Sequence, residues 1–224
     1  MSSTASAPLA GRAPRWRRRK EARPGEILAA ALEQFVEHGY AATRLEDVAR
    51  RAGVTKGTMY LYFPSKQALF KAVVNASLVA DIARGERLLE EHRDGARELL
   101  VKVITTWHDA IADTPAAGIP KLMVAEAANF PELGRFYYQE VVQRGHRLVG
   151  RVIRMGIERG EFRPVEIEQT VRLAIAPVLL GMVMKYSLHA CTGEAVDARK
   201  LLRLHLELFL RGIEKMPAAE VPNA

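Results

Sequence analysis

The sequence has a single cysteine, Cys191, among 224 residues. One cysteine cannot form an internal disulfide, and no Cys-x-x-Cys pair or cluster of histidine and cysteine offers the spacing of a zinc site. There is also no nucleophile–base pairing, phosphate-binding loop or carboxylate cluster of diagnostic spacing. These absences predict a cytoplasmic protein with no metal or cofactor and no enzymatic activity.

Long apolar runs and alternating patterns are missing as well. A run of twelve uncharged residues extends from Leu173 to Met184. It is too short to span a bilayer, and Pro177 and Gly181 interrupt it. No segment alternates apolar and polar residues with a period of two, which is the pattern of β-strands. We therefore predict an all-α fold that does not cross a membrane.

The positive charge of the chain is confined to one end. Residues 1–72 contain 13 Lys and Arg against 6 Asp and Glu, whereas residues 73–224 contain 20 of each, so the whole net charge of +7 lies in the first third. A basic end beside a neutral remainder is typical of a protein that binds DNA or an anionic membrane surface. A basic tail that only aids solubility fits the composition equally well.

Hydrophobic periodicity and capping residues predict the first two helices. Helix 1 begins at Glu26 and ends at Gly39. Thr43 and Glu46 have the spacing of a capping box, in which each side chain satisfies a backbone amide at the start of a short helix 2.

A third short helix follows, with Thr55 as its predicted cap. On helical spacing Met59 and Phe63 share its inner face. The residues left on the outer face are Tyr60, Leu61 and the flank of Tyr62. Exposed aromatic side chains suit phosphate hydrogen bonds and contacts with thymine methyl groups better than they suit a core. An ordinary corner between two helices is the alternative.

The remainder is predicted to be helical almost throughout, giving about nine helices in all. The predicted ranges are 65–91 for helix 4, 94–112 for helix 5, 119–128 for helix 6 and 131–159 for helix 7, followed by helix 8 around the uncharged run and by helix 9 around residues 201–213.

Helices 8 and 9 are more apolar than one core requires. Helix 9 carries two adjacent stripes of large apolar residues, a face wider than a single core needs. We expect both helices to form a four-helix contact with a second copy of the chain, with a thick monomeric core as the alternative. The predicted interface consists of Leu173, Leu180, Met184, Leu201, Leu204, His205 and Leu208.

The stretch ILAAALEQFVEHGYAATRLEDVARRAGVTKGTMYLYFPSKQALF resembles the amino-terminal domain of the tetracycline-repressor-like (TetR) family in register over about 45 residues. The shared motifs are GY-A-T, V-A-RRAGV-K-G-T and Y-x-YF-x-SK-x-L. The resemblance implies a three-helix DNA-binding domain at residues 21–81, with its helix-turn-helix at about 44–63. A ligand-binding and dimerisation domain then spans residues 82–216. A disordered basic arm (1–20) precedes the two domains, and a flexible tail (217–224) follows them.

The resemblance also implies roles for individual residues. Thr43 and Lys66 should bind DNA phosphates. The rest of the implied DNA surface is Arg44, Thr55, Lys56, Gly57, Thr58, Tyr60, Leu61 and Tyr62. The basic arm is Arg17, Arg18, Arg19 and Lys20, which could enter the minor groove or only attract phosphates.

A repressor of this type would bind double-stranded operator DNA as a homodimer. It would leave a palindromic operator when a small, largely apolar effector binds the C-terminal domain. Candidate effector-binding residues are Trp107, His108, Ile111, Met123, Phe130, Tyr137 and Met182, for each of which simple core packing is the alternative.

Three other functions remain open at this point. An activator or dual regulator would share every DNA contact. A helical enzyme or small-molecule-binding protein would need chemistry that no motif here indicates. A membrane-surface protein would have to bind through the basic arm alone.

Overall fold

The computed structural model describes the backbone of residues 15–91, 93, 95–193 and 197–215, and the side chains of those from residue 23 onward except residue 190. Within these ranges the fold is all-α, as predicted, and the single β-bridge pairs Phe162 with Glu214. The helices are α1 (Arg15–Ala42), α2 (Leu45–Arg51), α3 (Lys56–Tyr62), α4 (Lys66–Val74), α5 (Ala80–Glu91), α6 (Ala96–Ile111), α7 (Ile119–Glu126), α8 (Pro131–Tyr137), α9 (Arg144–Glu158), α10 (Ile167–Lys185), α11 (Leu188–Thr192) and α12 (Ala198–Ile213).

Two pairs of these helices are continuous rods. A π-helical turn at Asn75–Val79 joins α4 to α5, and a second at Tyr138–Gln143 joins α8 to α9. The rods correspond to predicted helices 4 and 7. Among the described residues the predicted number of about nine helices is therefore confirmed, with the short α11 as an addition.

The start of α1 differs from the prediction. The helix begins at Arg15 rather than Glu26 and continues through Pro24. Residues 15–22 are mostly Arg, Lys, Glu and Ala, which favour helix. Positions 17–20 of the predicted arm thus have a helical backbone, while their side chains, and residues 1–14 and 217–224, lie outside the described residues.

The predicted capping box at helix 2 is wrong. Gly39 adopts φ +82°, a left-handed region that favours glycine, and turns the chain back on α1. Thr43 is consequently buried, and its hydroxyl donates to the carbonyls of Gln34 (3.0 Å) and Gly39 (2.7 Å). The N-cap of α2 is Arg44, whose side chain makes no capping hydrogen bond.

The predicted Thr55 cap is confirmed, and Ser65 caps the following helix. The Thr55 hydroxyl accepts from the Thr58 amide at 3.2 Å, and the Ser65 hydroxyl accepts from the Ala68 amide at 3.0 Å. Each satisfies an amide that the first turn of a helix leaves free. These caps set where α3 and α4 begin.

An aromatic cluster packs α1 against α4. The Phe35 ring lies 5.3 Å from that of Phe70 and 5.6 Å from that of Tyr40, centroid to centroid. On the outside, Arg51 of α2 pairs with Glu33 at 2.7 Å and with Glu37 at 3.0 Å on α1. Together these contacts fix α2, α3 and α4 around α1 as one N-terminal head.

In the single chain α10 is buried along one side only. Ala174 and Met182 are buried, whereas Leu173 and Leu180 are more than half exposed. The folded helix has 19 residues, longer than its uncharged run, and by length and composition alone it could span a membrane. Core helices of water-soluble proteins share that property.

Candidate nucleic-acid interface and effector cavity

Helix α3 presents an apolar and aromatic outer face. Met59 is fully buried and anchors the helix to the head, while Leu61 is 77% exposed and Tyr60 is 42% exposed. Tyr62 and Phe63 are half-buried. The predicted division between inner and outer faces is therefore observed for Met59, Tyr60 and Leu61.

A cation stands beside this face. The Lys56 ammonium lies 2.7 Å from the Glu46 carboxylate on α2 and 5.8 Å from the centroid of the Tyr60 ring. The hydrogen bond from Lys56 lowers the pKa of the Glu46 carboxyl and raises that of the Lys56 ammonium. Both side chains are exposed, so the pair is weak and the ammonium can exchange its carboxylate for a phosphate.

The other predicted DNA-binding residues fall around α3. Arg44, Thr55 and Gly57 are exposed. The Thr58 hydroxyl is half-buried and lies 2.9 Å from that of Thr55. The exposed surface of the head thus contains most of the residues that the sequence assigns to it.

Thr43 and Lys66 are placed differently from the prediction. The Lys66 ammonium donates to the carbonyls of Tyr40 (2.8 Å), Ala41 (2.9 Å) and Thr43 (3.0 Å), and it lies 4.6 Å from the centroid of the Tyr40 ring. Burial lowers the pKa of Lys66. All three of its donors are used, and Thr43 is only 3% exposed. In this structure both side chains hold the turn between α1 and α2, and their predicted phosphate contacts stay a prediction.

The C-terminal part of the chain encloses a cavity of about 80 Å³. It lies between α5, α6, α9 and α10, with Pro120 of α7 and Tyr137 of α8 completing the wall. Both π-helical turns reach it, through Leu78 and Val141. The lining is mainly aliphatic, as expected of a small-molecule site.

Two of the predicted effector-binding residues, Trp107 and Tyr137, line this cavity. The others do not: His108, Ile111, Met123 and Met182 are buried in the core, and Phe130 stacks edge-on against Tyr40 in the head.

The sequence did not single out the other lining residues, and four of these are neither aliphatic nor aromatic core residues. These are Asp81, Gly85, Gly145 and His146. The two glycines lie in the predicted helices 4 and 7, away from any turn. A glycine inside each of two helices was the available signal that the helices approach closely or leave space between them.

The cavity wall is joined to the head through α7 and α8. The Ala41 amide donates to the Glu126 carboxylate of α7 at 3.1 Å, and the Gln67 amide of α4 donates to Glu132 of α8 at 2.6 Å. The Phe130 ring, just before α8, lies 4.7 Å from the Tyr40 ring. We call this set of contacts the junction.

Packing at the junction is close. A methyl group added to Gly118, just before α7, would lie 2.4 Å from a methyl carbon of Val36 on α1. Only a glycine therefore lets the core approach α1 at this distance. Movement of α7 would consequently displace α1 of the head.

Helices α10 and α12 share an exposed leucine face. Leu173, Leu180, Leu201, Leu204 and Leu208 are each between 43% and 65% exposed. His205 Nε2 lies 2.9 Å from the Ala174 carbonyl oxygen and ties the two helices together. Met184 and His205 are half-buried. We call these exposed leucines the leucine face.

Comparison with known proteins matches two family models. Residues 27–73 match the model for bacterial regulatory proteins of the tetR family, and residues 91–198 match that for the tetracyclin repressor-like C-terminal domain. The chain belongs to the TetR family. The head corresponds to the family's DNA-binding domain with its helix-turn-helix. The chain is a transcriptional regulator, not an enzyme.

Individual relatives agree over most of the chain. The fatty acid metabolism regulator protein of Bacillus subtilis (strain 168) is 28% identical over 196 residues, covering 87% of this chain and 98% of the relative. Among solved structures, the ketosteroid transcriptional regulator KstR2 of Mycobacterium tuberculosis is 26% identical with a TM-score of 0.67, covering 87% and 96% of the two chains. The regulator FadR of Bacillus subtilis in complex with stearoyl-CoA has a TM-score of 0.68 at 23% identity, covering 85% and 99%.

The buried role of Thr43 in this TetR-family head is directly testable. Thr43→Val keeps the shape of the side chain but leaves the Gln34 and Gly39 carbonyls without their donor, and we expect it to lower the free energy of unfolding by about 1 to 3 kcal/mol. Thr43→Ser, which keeps the hydroxyl, should lose less than half of that. Urea unfolding followed by circular dichroism measures both. Equal stability of Thr43→Val and the wild type would contradict the buried hydrogen bonds.

Proposed function

We propose that this chain is a repressor that binds a palindromic operator as a homodimer and leaves it when a small, largely apolar molecule enters the cavity. The observation that carries the proposal is the double contact of α7 and α8. Each helix contributes to the cavity wall, through Pro120 and Tyr137, and each contacts the head, through Glu126 and Glu132.

The proposed DNA contacts centre on α3. Its outer face would enter the major groove, with Tyr60 and Leu61 toward the bases and Lys56 toward a phosphate. In a two-fold dimer, two such helices read half-sites about one helical turn, ~34–36 Å, apart or slightly more. The proposed place of action is the cytoplasm, where the DNA is.

The proposed subunit interface is the leucine face. Five leucines exposed on two neighbouring helices form an apolar surface that a water-soluble monomer would rarely leave uncovered. A second copy covers it by a two-fold contact of α10 and α12 with the same helices of the partner. In this proposal the apolar side of α10 contacts protein and not a membrane.

The proposed response depends on differential binding. A molecule that fits the cavity better in one position of α7 and α8 shifts the chain toward that position. Because these helices hold Ala41 and Gln67, the shift alters how the head is set against the core. The spacing of the two recognition helices in the dimer then no longer matches the operator.

The aliphatic cavity lining supports an apolar effector. Two relatives, a fatty acid metabolism regulator and a FadR in complex with stearoyl-CoA, support an effector with a hydrocarbon chain. The cavity as it stands is far below the ~300 Å³ of a typical ligand pocket, so a large effector requires its walls to move.

The operator and its cation can be tested together. Selection of bound genomic fragments should yield a near-palindrome, and on it Lys56→Ala should weaken binding and reduce the salt slope by about one. Glu46→Gln should act in the opposite direction, because it frees the same ammonium. Mobility-shift titrations at several salt concentrations measure both variants.

Two results would contradict the DNA-binding proposal. One is that no sequence-preferred fragment emerges from the selection. The other is that Lys56→Ala and Glu46→Gln both leave the affinity and the salt slope of the wild type unchanged. A transcription assay on the selected site distinguishes repression from activation, which would use the same contacts.

The interface can be tested with one matched pair of charges. Leu204→Glu places a carboxylate in the leucine face, so we expect a monomer by sedimentation equilibrium. Operator affinity should fall about a hundredfold, because the two heads of a dimer no longer bind the two half-sites together. Val124→Glu makes the same change at a 77% exposed position on α7 and should remain a dimer. A dimeric Leu204→Glu protein would refute the assignment.

A further inference from the structure

Three polar side chains line the cavity without a hydrogen-bond partner among the described residues. They are Trp107 on α6, Tyr137 at the end of α8 and His146 on α9. No sealed side-chain nitrogen or oxygen in the described core lacks a partner. The unpaired atoms of these three residues therefore have open space beside them.

Several other buried polar side chains of the described core are paired. His108 Nδ1 lies 3.3 Å from the Asp109 carboxylate, and the Thr170 hydroxyl donates to the Glu166 carbonyl at 2.6 Å. Polar groups left unpaired in apolar surroundings are unfavourable. A molecule that accepts hydrogen bonds from the cavity-lining groups would remove that disadvantage.

The lining offers no free charge to a ligand. Its one carboxylate, Asp81, is paired with Arg84. The nearby Arg144 is paired with Glu86 at 2.5 Å and does not line the cavity. An anion would meet no unpaired cation there, and a cation would meet a carboxylate that is already neutralised.

The three polar groups act as uncharged donors. Burial, followed by the charge of Arg172 and partly offset by Glu168, lowers the pKa of His146, so its ring is neutral at physiological pH. Burial raises the pKa of Tyr137, so its hydroxyl stays protonated. The Trp107 indole N–H is a donor only.

We propose that the cavity recognises an uncharged, mostly hydrocarbon molecule by a carbonyl-type oxygen that accepts hydrogen bonds from Trp107, Tyr137 and His146. This inference rests on the proposed function of the cavity as the effector site. A carbonyl oxygen has two lone pairs, so it accepts from two of these three donors at a time, and it carries no charge, which fits neutral donors and an aliphatic wall.

The volume decides which probe is suitable. An apolar cavity of ~150 Å³ takes up benzene. The present cavity is about half that size, so its walls must move outward to take a whole six-membered ring. A six-membered ring with one polar substituent keeps that movement small compared with a long-chain ligand, and it tests the polarity of the site with little dependence on chain length.

The probe is cyclohexanone, compared with cyclohexanecarboxylate and cyclohexylammonium. The chain has two tryptophans, so in full-length Trp16→Phe protein labelled with ¹⁵N the indole N–H signal of Trp107 is observed alone. We expect cyclohexanone to shift this signal saturably. Both charged analogues should bind at least about tenfold more weakly, because neither finds an unpaired countercharge.

The assignment to Tyr137 has a neighbouring control. Tyr137→Phe should weaken cyclohexanone binding by about three- to tenfold, the usual effect of losing one uncharged hydrogen bond. Its melting temperature should be equal to or above that of the wild type, because the hydroxyl it lacks has no protein partner. Tyr138→Phe changes an adjacent, half-exposed tyrosine outside the cavity lining and should bind as the wild type does.

Three results would overturn the inference. They are the absence of a saturable shift with cyclohexanone, equal or tighter binding of either charged analogue, and equal affinity of Tyr137→Phe and Tyr138→Phe. Operator binding without any probe is measured separately. If operator binding persists but cyclohexanone does not bind, the inference about the ligand is wrong and the proposed DNA-binding function stands. If cyclohexanone binds as expected but no operator is found, the proposed DNA-binding function is wrong and the inference about the ligand stands.

Discussion

The turn between α1 and α2 is the constraint on which the rest of the molecule depends. Gly39 reverses the chain, Thr43 closes the turn from inside, and the Lys66 ammonium binds three of its carbonyls from α4. The same turn is held from the core by Glu126 through the Ala41 amide. The start of α2, the rod that begins with α4 and the cavity wall on α7 therefore meet at one point, and none can move without straining these hydrogen bonds.

Much of the head could be predicted from sequence because its determinants are local. Thr55 and Ser65 cap helices that begin at the next residue, and Met59 turns inward by helical spacing alone. The leucine face follows from the same argument, since the two stripes of α12 separate into the buried Leu202 and Leu206 and the exposed leucines. A repeated residue type at helical spacing contains enough information for such assignments.

The remaining features depend on contacts distant in sequence. Thr43 has the pattern of a cap, whose hydroxyl would accept from an amide, but under the turn its hydroxyl donates to the Gln34 and Gly39 carbonyls instead. Lys66 is drawn to carbonyls that lie more than twenty residues earlier in the chain. The cavity lining combines side chains from six helices, so periodicity identified Trp107 and Tyr137 but not the residues that face them from α5 and α9.

The link from cavity to operator is the central claim, and filling the cavity with a side chain tests it without any ligand. A side chain at Gly145, where the nearest atom to an added methyl group is 4.0 Å away on Ile82, occupies this space. The measurement is the operator affinity of Gly145→Leu beside that of Gly145→Ala, which fills far less. The account predicts that Gly145→Leu stays folded and dimeric but binds at least about tenfold more weakly, within the usual range of allosteric coupling. Equal affinities of the two folded variants would contradict it.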